Sequence, residues 1–220
     1  MNVLVACEES QRVCIAFREK GHNAFSCDVQ EPSGGHPEWH ILGNALEYLN
    51  GGKIVTMDGK SHEILRWDLL IAHPPCTYLT NAGAVRMRKN GKIVGERFSK
   101  AMEAKAFFMS FYNANIPMIA VENPTPMKIV ELPPYTQAIQ PYEYGHPYSK
   151  RTCLWLKGLP KLEPTEIVKP LGSWVNGGSK KHDGSPRKNK LAGAKNKKER
   201  SKTFPGIAAA MADQWGGIKK

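Results

Sequence analysis

The sequence has little of what builds a disulfide-stapled, metal-stapled or membrane-spanning protein. Its five cysteines, at positions 7, 14, 27, 76 and 153, are odd in number and irregular in spacing, so they suggest neither a disulfide framework nor a CxxC metal knuckle. Cys7, Cys14, Cys27, His22, His36 and His40 match no common zinc-ligand spacing, and no metal is expected. No stretch approaches the roughly 20 apolar residues that a membrane helix needs. The chain runs from Met1 straight into the apolar "NVLVA", without a basic segment ahead of a long apolar run. The expectations are a reducing cytoplasm, no secretion and no membrane partner.

Acid is scarce as well. Against 31 Lys and Arg stand 20 Asp and Glu, a net charge of +11 over 220 residues. Between Lys180 and Lys202 there are ten Lys or Arg and two acids, Asp183 and Glu199, so this window carries +8 and the remainder +3. The window is rich in Gly, Ser, Pro and Asn and has no hydrophobic period, which reads as a loop. It is internal, because "TFPGIAAAMADQW" resumes a packable pattern after it. A long basic loop inside a compact domain fits a polyanion partner, nucleic acid above all; the alternative is a passive solubilising loop.

What is present reads as one main domain, 41% hydrophobic, of alternating strands and helices. "NVLVA" (2–6) is a short apolar strand. Ser10 is placed to cap a helix through about Lys20 that turns Val13, Cys14 and Phe17 inward. "HNAFSCDV" (22–29) reads as a second strand ending near Asp28, followed by a Gly/Pro-rich loop (31–37), a short helix around 44–49, and a hairpin from Gly51 through "KIVTMDGKS". "WDLLIAH" (67–73) is a buried strand. A helix over 96–114 carries Phe98, Met102, Phe108 and Tyr112 near helical spacing. "PMIAVENP" (117–124) is another strand. This alternation predicts an α/β fold with a mostly parallel sheet and flanking helices, whose ligands bind beyond the carboxyl ends of the strands. The unusual polar endings lie there: "ACEES", "CD", "HPPC" and "ENP".

Two successive prolines remove two backbone donors and fix the direction in which the chain leaves a strand. A thiol held at such an exit, with a carboxyl at the end of a nearby strand, suits nucleophilic attack on an electron-poor ring followed by proton management. The alternatives are a buried structural thiol at Cys76 and a helix cap at Glu122.

On these residues the chain resembles the cytosine-5 DNA methyltransferase family, as a small, phage-type member. "HPPC" ending at Cys76 and "ENP" beginning at Glu122 match the family's Pro-Cys nucleophile motif and Glu-Asn acid motif, in the same order. "YGHPYSKRTCLWLKG" (144–158) is similar to the family's Tyr-Gly-x-Pro-Gln-x-Arg-x-Arg stretch, with Tyr148 in the Gln place, Lys150 in the first Arg place, and Thr152 in the second with Arg151 beside it. The family's first loop, Phe-x-Gly-x-Gly, is here Cys7, Glu8, Glu9, Ser10 and Gln11, with no glycine, and its Asp near the adenine is replaced by Asn44 of "GNAL".

The resemblance implies an S-adenosylmethionine-dependent methyltransferase of Rossmann-like fold acting on DNA. Cys76, Glu122 and Arg151 would be catalytic. Ala6, Cys7, Glu8, Asp28, Asn44 and Pro75 would line the cofactor, and Asn123, Lys150, Lys195, Lys197 and Lys198 would hold substrate. Residues 1–160 would be the catalytic core, 161–202 the basic loop or a reduced target-recognition region, and 203–220 a helix packing back on the core. The rival readings are a binding protein that keeps the fold without catalysis, and the same chemistry on RNA or a nucleotide.

Overall fold

The computed structural model describes residues 1–175 and 191–217. Among them, seven strands form one sheet: β1 (Asn2–Ala6), β2 (Asn23–Asp28), β3 (His40–Leu42), β4 (Leu69–Ala72), β5 (Met118–Asn123), β6 (Gln137–Ile139) and β7 (Thr152–Lys157). Their order is β6-β7-β5-β4-β1-β2-β3. The pairs β3/β2, β2/β1, β1/β4 and β4/β5 are parallel, whereas β7 is antiparallel to both β5 and β6. The fold is the mostly parallel α/β class that the alternating pattern predicts, and it is Rossmann-like, as the resemblance implies.

The central strands are near-continuous runs of Val, Leu, Ile and Ala because both faces of a parallel sheet are covered. Strand alternation sends Val3, Val5, Leu69, Ile71, Met118 and Ala120 to one face, which meets α1 (Arg12–Glu19) and α4 (Pro205–Gly216). Leu4, Leu70, Ile119 and Val121 point to the other, which meets α2 (Gly95–Tyr112). On α2 the inward residues are Ala101, Phe108 and Phe111, with Phe98, Met102 and Tyr112 only partly buried, so the buried stripe is rotated from the one expected.

Ser10 does not cap α1. The N-cap is Gln11, in the left-handed region at φ 57° with no side-chain cap bond. The amides of the first turn, which have no partner within the helix, are met instead by the Glu8 carboxylate, which accepts from Val13 N at 2.7 Å and Cys14 N at 3.2 Å. A carboxylate is favoured at a helix N-terminus by both hydrogen bonding and the helix dipole.

The expected hairpin is present, pairing Gly52–Val55 with Ser61–Ile64. The three-residue strands β3 and β6 have too few residues to show a period. A short α-helix, α3 (Lys197–Ser201), precedes α4 and stands within the stretch read as a loop from the sequence; the Asn196 side chain caps it by accepting from Glu199 N at 2.8 Å. The basic stretch over 176–190 lies outside the described residues. No helix among the described residues is long and apolar enough to cross a membrane.

Candidate active site

Register brings the unusual strand endings into one row. Ala6 pairs with Cys27 of β2 and with Ala72 of β4, and Ala72 pairs with Val121 of β5. The residues just beyond those pairs are therefore neighbours at the carboxyl edge: Cys7, Asp28, His73 and Glu122. Because β7 runs antiparallel, with Cys153 opposite Asn123, its amino end reaches the same edge and delivers Lys150.

The two proline brackets are stitched to each other. Asn123 is buried and donates from Nδ2 to the Pro74 carbonyl at 2.8 Å. Asn81 N bonds Thr125 O at 3.1 Å, Met127 N bonds Leu79 O at 2.8 Å, and Thr80 bridges Pro126. The Cys76 carbonyl accepts from Leu79 N and Thr80 N at 3.1 and 3.3 Å. These bonds hold a half-buried Cys76 thiol against the end of β5.

On the face of the sheet that carries Ile71 and Ala120, the next residues outward are His73 and Glu122. His73 Nδ1 stands 3.0 Å from Glu122 Oε2, with side chains 9% and 13% exposed. Burial pushes the Glu122 carboxyl up, but the His73 hydrogen bond and the charges of Lys150 and His73 outweigh it and hold Glu122 below the ordinary carboxylate range. Burial likewise pushes His73 down, but the Glu122 hydrogen bond and the charges of Glu122 and Glu8 prevail over it and over Lys150, so its affinity for a proton is raised. The Cys76 thiol is pushed up by burial and by the Glu122 charge, while Lys150 and Lys197 draw it down.

These groups line a cleft of about 370 Å³ with Cys7 to Ser10, Cys27 to Gln30, Gly43 to Ala45, Pro74, Pro75 and Asn123. The far wall is basic: Lys197, Arg200 and Lys202, from α3 and the residue after it, together with Lys150. Lys150 Nζ donates to the Lys202 carbonyl at 3.4 Å, joining that wall to the sheet.

The first loop takes its course without glycine. Cys7 and Gln11 both adopt left-handed φ, 58° and 57°, at a cost of order 1 kcal/mol each. Gln11 is fully buried and clamps the loop over 31–37: its Nε2 donates to His36 O at 2.8 Å and to Ser26 Oγ at 3.2 Å, and its Oε1 accepts from His36 N at 3.1 Å. Gly34 lies so close that an added Cβ would sit 2.6 Å from the Gln11 Cβ. Gln11 carries the fixing interactions of this loop.

The loop end of the cleft is rich in acceptors. Asp28 ends β2 there. Both carboxylate oxygens of Glu9 are buried without a hydrogen-bond partner among the described residues, although Lys198 Nζ is 3.4 Å from Oε2, near enough for an ion pair. Asn44 Oδ1 is used by Leu46 N at 3.2 Å, which leaves its amide nitrogen to donate. This end can hold a ligand that carries cationic groups and hydroxyls.

Several expected site residues stand elsewhere. Arg151 is exposed and outside the cleft lining; it donates to Tyr135 Oη at 2.9 Å and lies over that ring. Neighbours at the start of a strand point to opposite sides, and the register gives the inward place to Lys150. Ala6 is buried in the core and does not line the cleft; its carbonyl accepts from His73 N at 2.9 Å. Glu8 lines the cleft, but its carboxylate is committed to α1. Lys195 and Lys198 are not among the lining residues, whereas Lys197 is. His73, Arg200 and Lys202 belong to the site without having been singled out from the sequence. For His73 the signal was its place at the head of "HPPC"; its pairing with a residue 49 positions away is invisible to any local pattern.

Glu8→Ala is expected to lower stability by about 1–2 kcal/mol, the usual worth of a helix N-cap, as read by urea unfolding. Burial pushes the Glu8 carboxyl up to about 7 from an ordinary 4.5. The folded chain then holds this proton more tightly than the unfolded chain. Its stabilising contribution is full below pH 4.5 and is lost as pH rises through about 7. Glu8→Gln should keep an acceptor for α1 and remove that decline; equal pH dependence in the two proteins would contradict the assignment.

No protein-family model matches the chain, and no curated protein does. Among solved structures, a protein described as a DNA modification methyltransferase encoded within a prophage (E. coli) superposes over 77% of this chain and 52% of its own, at 13% identity and a TM-score of 0.43. The methyltransferase EhMeth of Entamoeba histolytica does so over 76% and 57%, at 11% identity and a TM-score of 0.41. A Spodoptera frugiperda DNMT2 mutant does so over 76% and 54%, at 15% identity and a TM-score of 0.35. The chain thus spans a little over half the length of the solved structures to which it is similar.

Proposed function

We propose that the chain is an S-adenosylmethionine-dependent methyltransferase that acts on carbon 5 of cytosine in DNA. The observation that carries this reading is the convergence of Cys76, Glu122 and Lys150 on one cleft. They come from three separate stretches, each of which resembles a motif of the cytosine-5 family.

The end of the cleft formed by the Glu9 and Asp28 carboxylates, with the Asn44 amide nitrogen as a donor beside them, suits a ligand bearing a sulfonium, an ammonium and ribose hydroxyls. When bound, S-adenosylmethionine supplies an electrophilic methyl group. The part of the chain's own residues is to make carbon 5 nucleophilic. A cytosine must leave the base stack for its ring to reach Cys76 in the cleft. Cys76 as thiolate adds to carbon 6, and the electron pair of the 5,6 double bond moves to carbon 5. Glu122 hydrogen-bonds ring nitrogen 3 and offsets the charge that builds there. Lys150 and Lys197 favour the thiolate and are suited to the target phosphate. After methylation, loss of the carbon-5 proton to solvent re-forms the double bond and expels the Cys76 thiolate.

The test is transfer of label from methyl-labelled S-adenosylmethionine to duplex DNA, with digestion to nucleosides. The expected product is 5-methylcytosine. Calorimetric binding of DNA without binding of S-adenosylmethionine, and no label transferred, would favour a non-catalytic binding protein instead. Label recovered from RNA or a free nucleotide alone would move the substrate class.

The lysines of α3 and of the residues just before it give a separate expectation. Binding to duplex DNA should weaken with salt, at a log-log slope of about −0.9 per phosphate neutralised. Replacing Lys195, Lys197 and Lys198 together by Ala should flatten the slope by up to about 3 and weaken all sequences alike. An unchanged slope in fluorescence anisotropy titrations would reduce these lysines to solubilising residues.

A further inference from the structure

His73 is buried in the cleft against the acid of the site, and the chemistry above leaves it unused. A histidine before the proline pair is not required to bend the chain there, since the prolines do that. Its backbone is already fixed by the bond from its N–H to the Ala6 carbonyl. The imidazole is nonetheless turned inward, onto the acid of the site, at 3.0 Å. Its second nitrogen, Nε2, is buried with no hydrogen-bond partner among the described residues. An unsatisfied buried nitrogen is costly, and packing alone would be served better by an apolar side chain of similar volume.

We infer that His73 holds a proton for Glu122, so that the pair, and not the carboxyl alone, is the acid of the cleft. The inference rests on the proposed reaction for its use of that proton. Glu122 is asked to hydrogen-bond ring nitrogen 3 as a donor, yet it sits among groups that favour its ionised form, Lys150 and His73 itself. A carboxylate cannot donate. A proton shared with the imidazole removes the conflict.

The step balances without a co-reactant. As the Cys76 sulfur bonds to carbon 6 and electron density moves into the ring, the one proton of the pair passes from His73 Nδ1 through the Glu122 carboxylate toward nitrogen 3. Expulsion of the thiolate returns that proton by the same path. The groups that face the imidazole are Glu122 from β5, Glu8 from the loop after β1, and Lys150 ahead of β7; the segment before α4 covers it with Thr203 and Phe204. The two carboxylates favour the protonated ring and Lys150 opposes it, so the charge on His73 depends on Glu122 remaining in place. His73 is a positioning residue here, because it acts on the substrate only through Glu122.

The first test needs no substrate. The full chain, labelled with ¹⁵N-histidine and assigned by comparison with His73→Gln, is titrated by NMR. The His73 midpoint is expected above the ordinary value of about 6.5, and Glu122→Gln should lower it by about one unit or more. A wild-type midpoint at or below 6.5, or one that Glu122→Gln leaves in place, overturns the inference. The second test is the pH profile of single-turnover methyl transfer. Gln at position 73 can still donate a hydrogen bond to Glu122 but cannot carry the proton. His73→Gln should therefore be slower by tenfold or more near pH 8 and should lose the alkaline limb of the wild-type profile. A His73→Gln profile that retains the wild-type limb and rate means a purely structural histidine and overturns the inference. A raised, Glu122-dependent midpoint in a chain that transfers no methyl group to cytosine overturns the proposed function and leaves the proton-sharing pair supported.

Discussion

Cys76→Ser is expected to bring methyl transfer below detection, a loss of about a thousandfold or more, without unfolding the chain. A serine hydroxyl stays protonated at neutral pH and is a far weaker nucleophile than a thiolate. The substitution is nearly isosteric, and the bonds that hold the loop run through backbone groups: the Cys76 carbonyl, Asn81 N, Met127 N and the Pro74 carbonyl. Circular dichroism and the urea midpoint should therefore match wild type. The same residue can be tested by trapping. With 5-fluorocytosine in the target strand, the carbon-5 substituent cannot leave as a cation, so the adduct should persist as an SDS-stable protein–DNA band that Cys76→Ser lacks. Substantial methylation by Cys76→Ser would remove this thiol from the mechanism and return it to the role of a buried structural cysteine.

Glu122→Gln is expected to leave DNA binding intact and to slow the single-turnover rate on the order of a hundredfold or more, the usual scale of acid-base assistance. The amide oxygen can still accept from His73, so the imidazole keeps a partner and the fold is spared the penalty of an orphaned buried donor. The amide nitrogen can donate toward nitrogen 3, but it cannot pass on a proton. The loss should consequently fall on the chemical step and leave the Kd for DNA within about twofold. An unchanged rate would make Glu122 a structural residue whose only task is to meet His73. A loss confined to Kd would make it a binding residue.

The two predictions depend on different kinds of information. The thiol after two prolines and the acid ahead of Asn and Pro are local patterns, legible because a proline pair restricts the chain in the same way wherever it stands. The strands with continuous apolar runs were legible for a similar reason: a strand buried on both faces has no polar side to disguise it. Less was legible where the deciding partner is distant. Ser10 had the right chemistry for a cap, but the left-handed turn at Gln11 aims the Glu8 carboxylate at the first turn of α1. Phe98, Met102 and Tyr112 have helical spacing, yet the sheet face that α2 meets selects Ala101, Phe108 and Phe111. At three residues each, β3 and β6 are held by their neighbours in the sheet and have no period of their own.

What the sequence by itself determined, then, is the α/β class, the succession of the long central strands with α1, α2 and α4, and the candidates Cys76 and Glu122, all of which follow from spacing, side-chain volume and backbone restriction within a few residues. Only the tertiary structure decided which charged groups attend them. The antiparallel entry of β7 turns its amino end to the carboxyl edge of its neighbours and brings Lys150 rather than Arg151 into the cleft. The parallel register of β4 with β5 sets His73 beside Glu122. The physical reason is that register and strand direction are settled by which apolar faces α1, α2 and α4 cover, a property of the whole core that no short stretch of the chain contains.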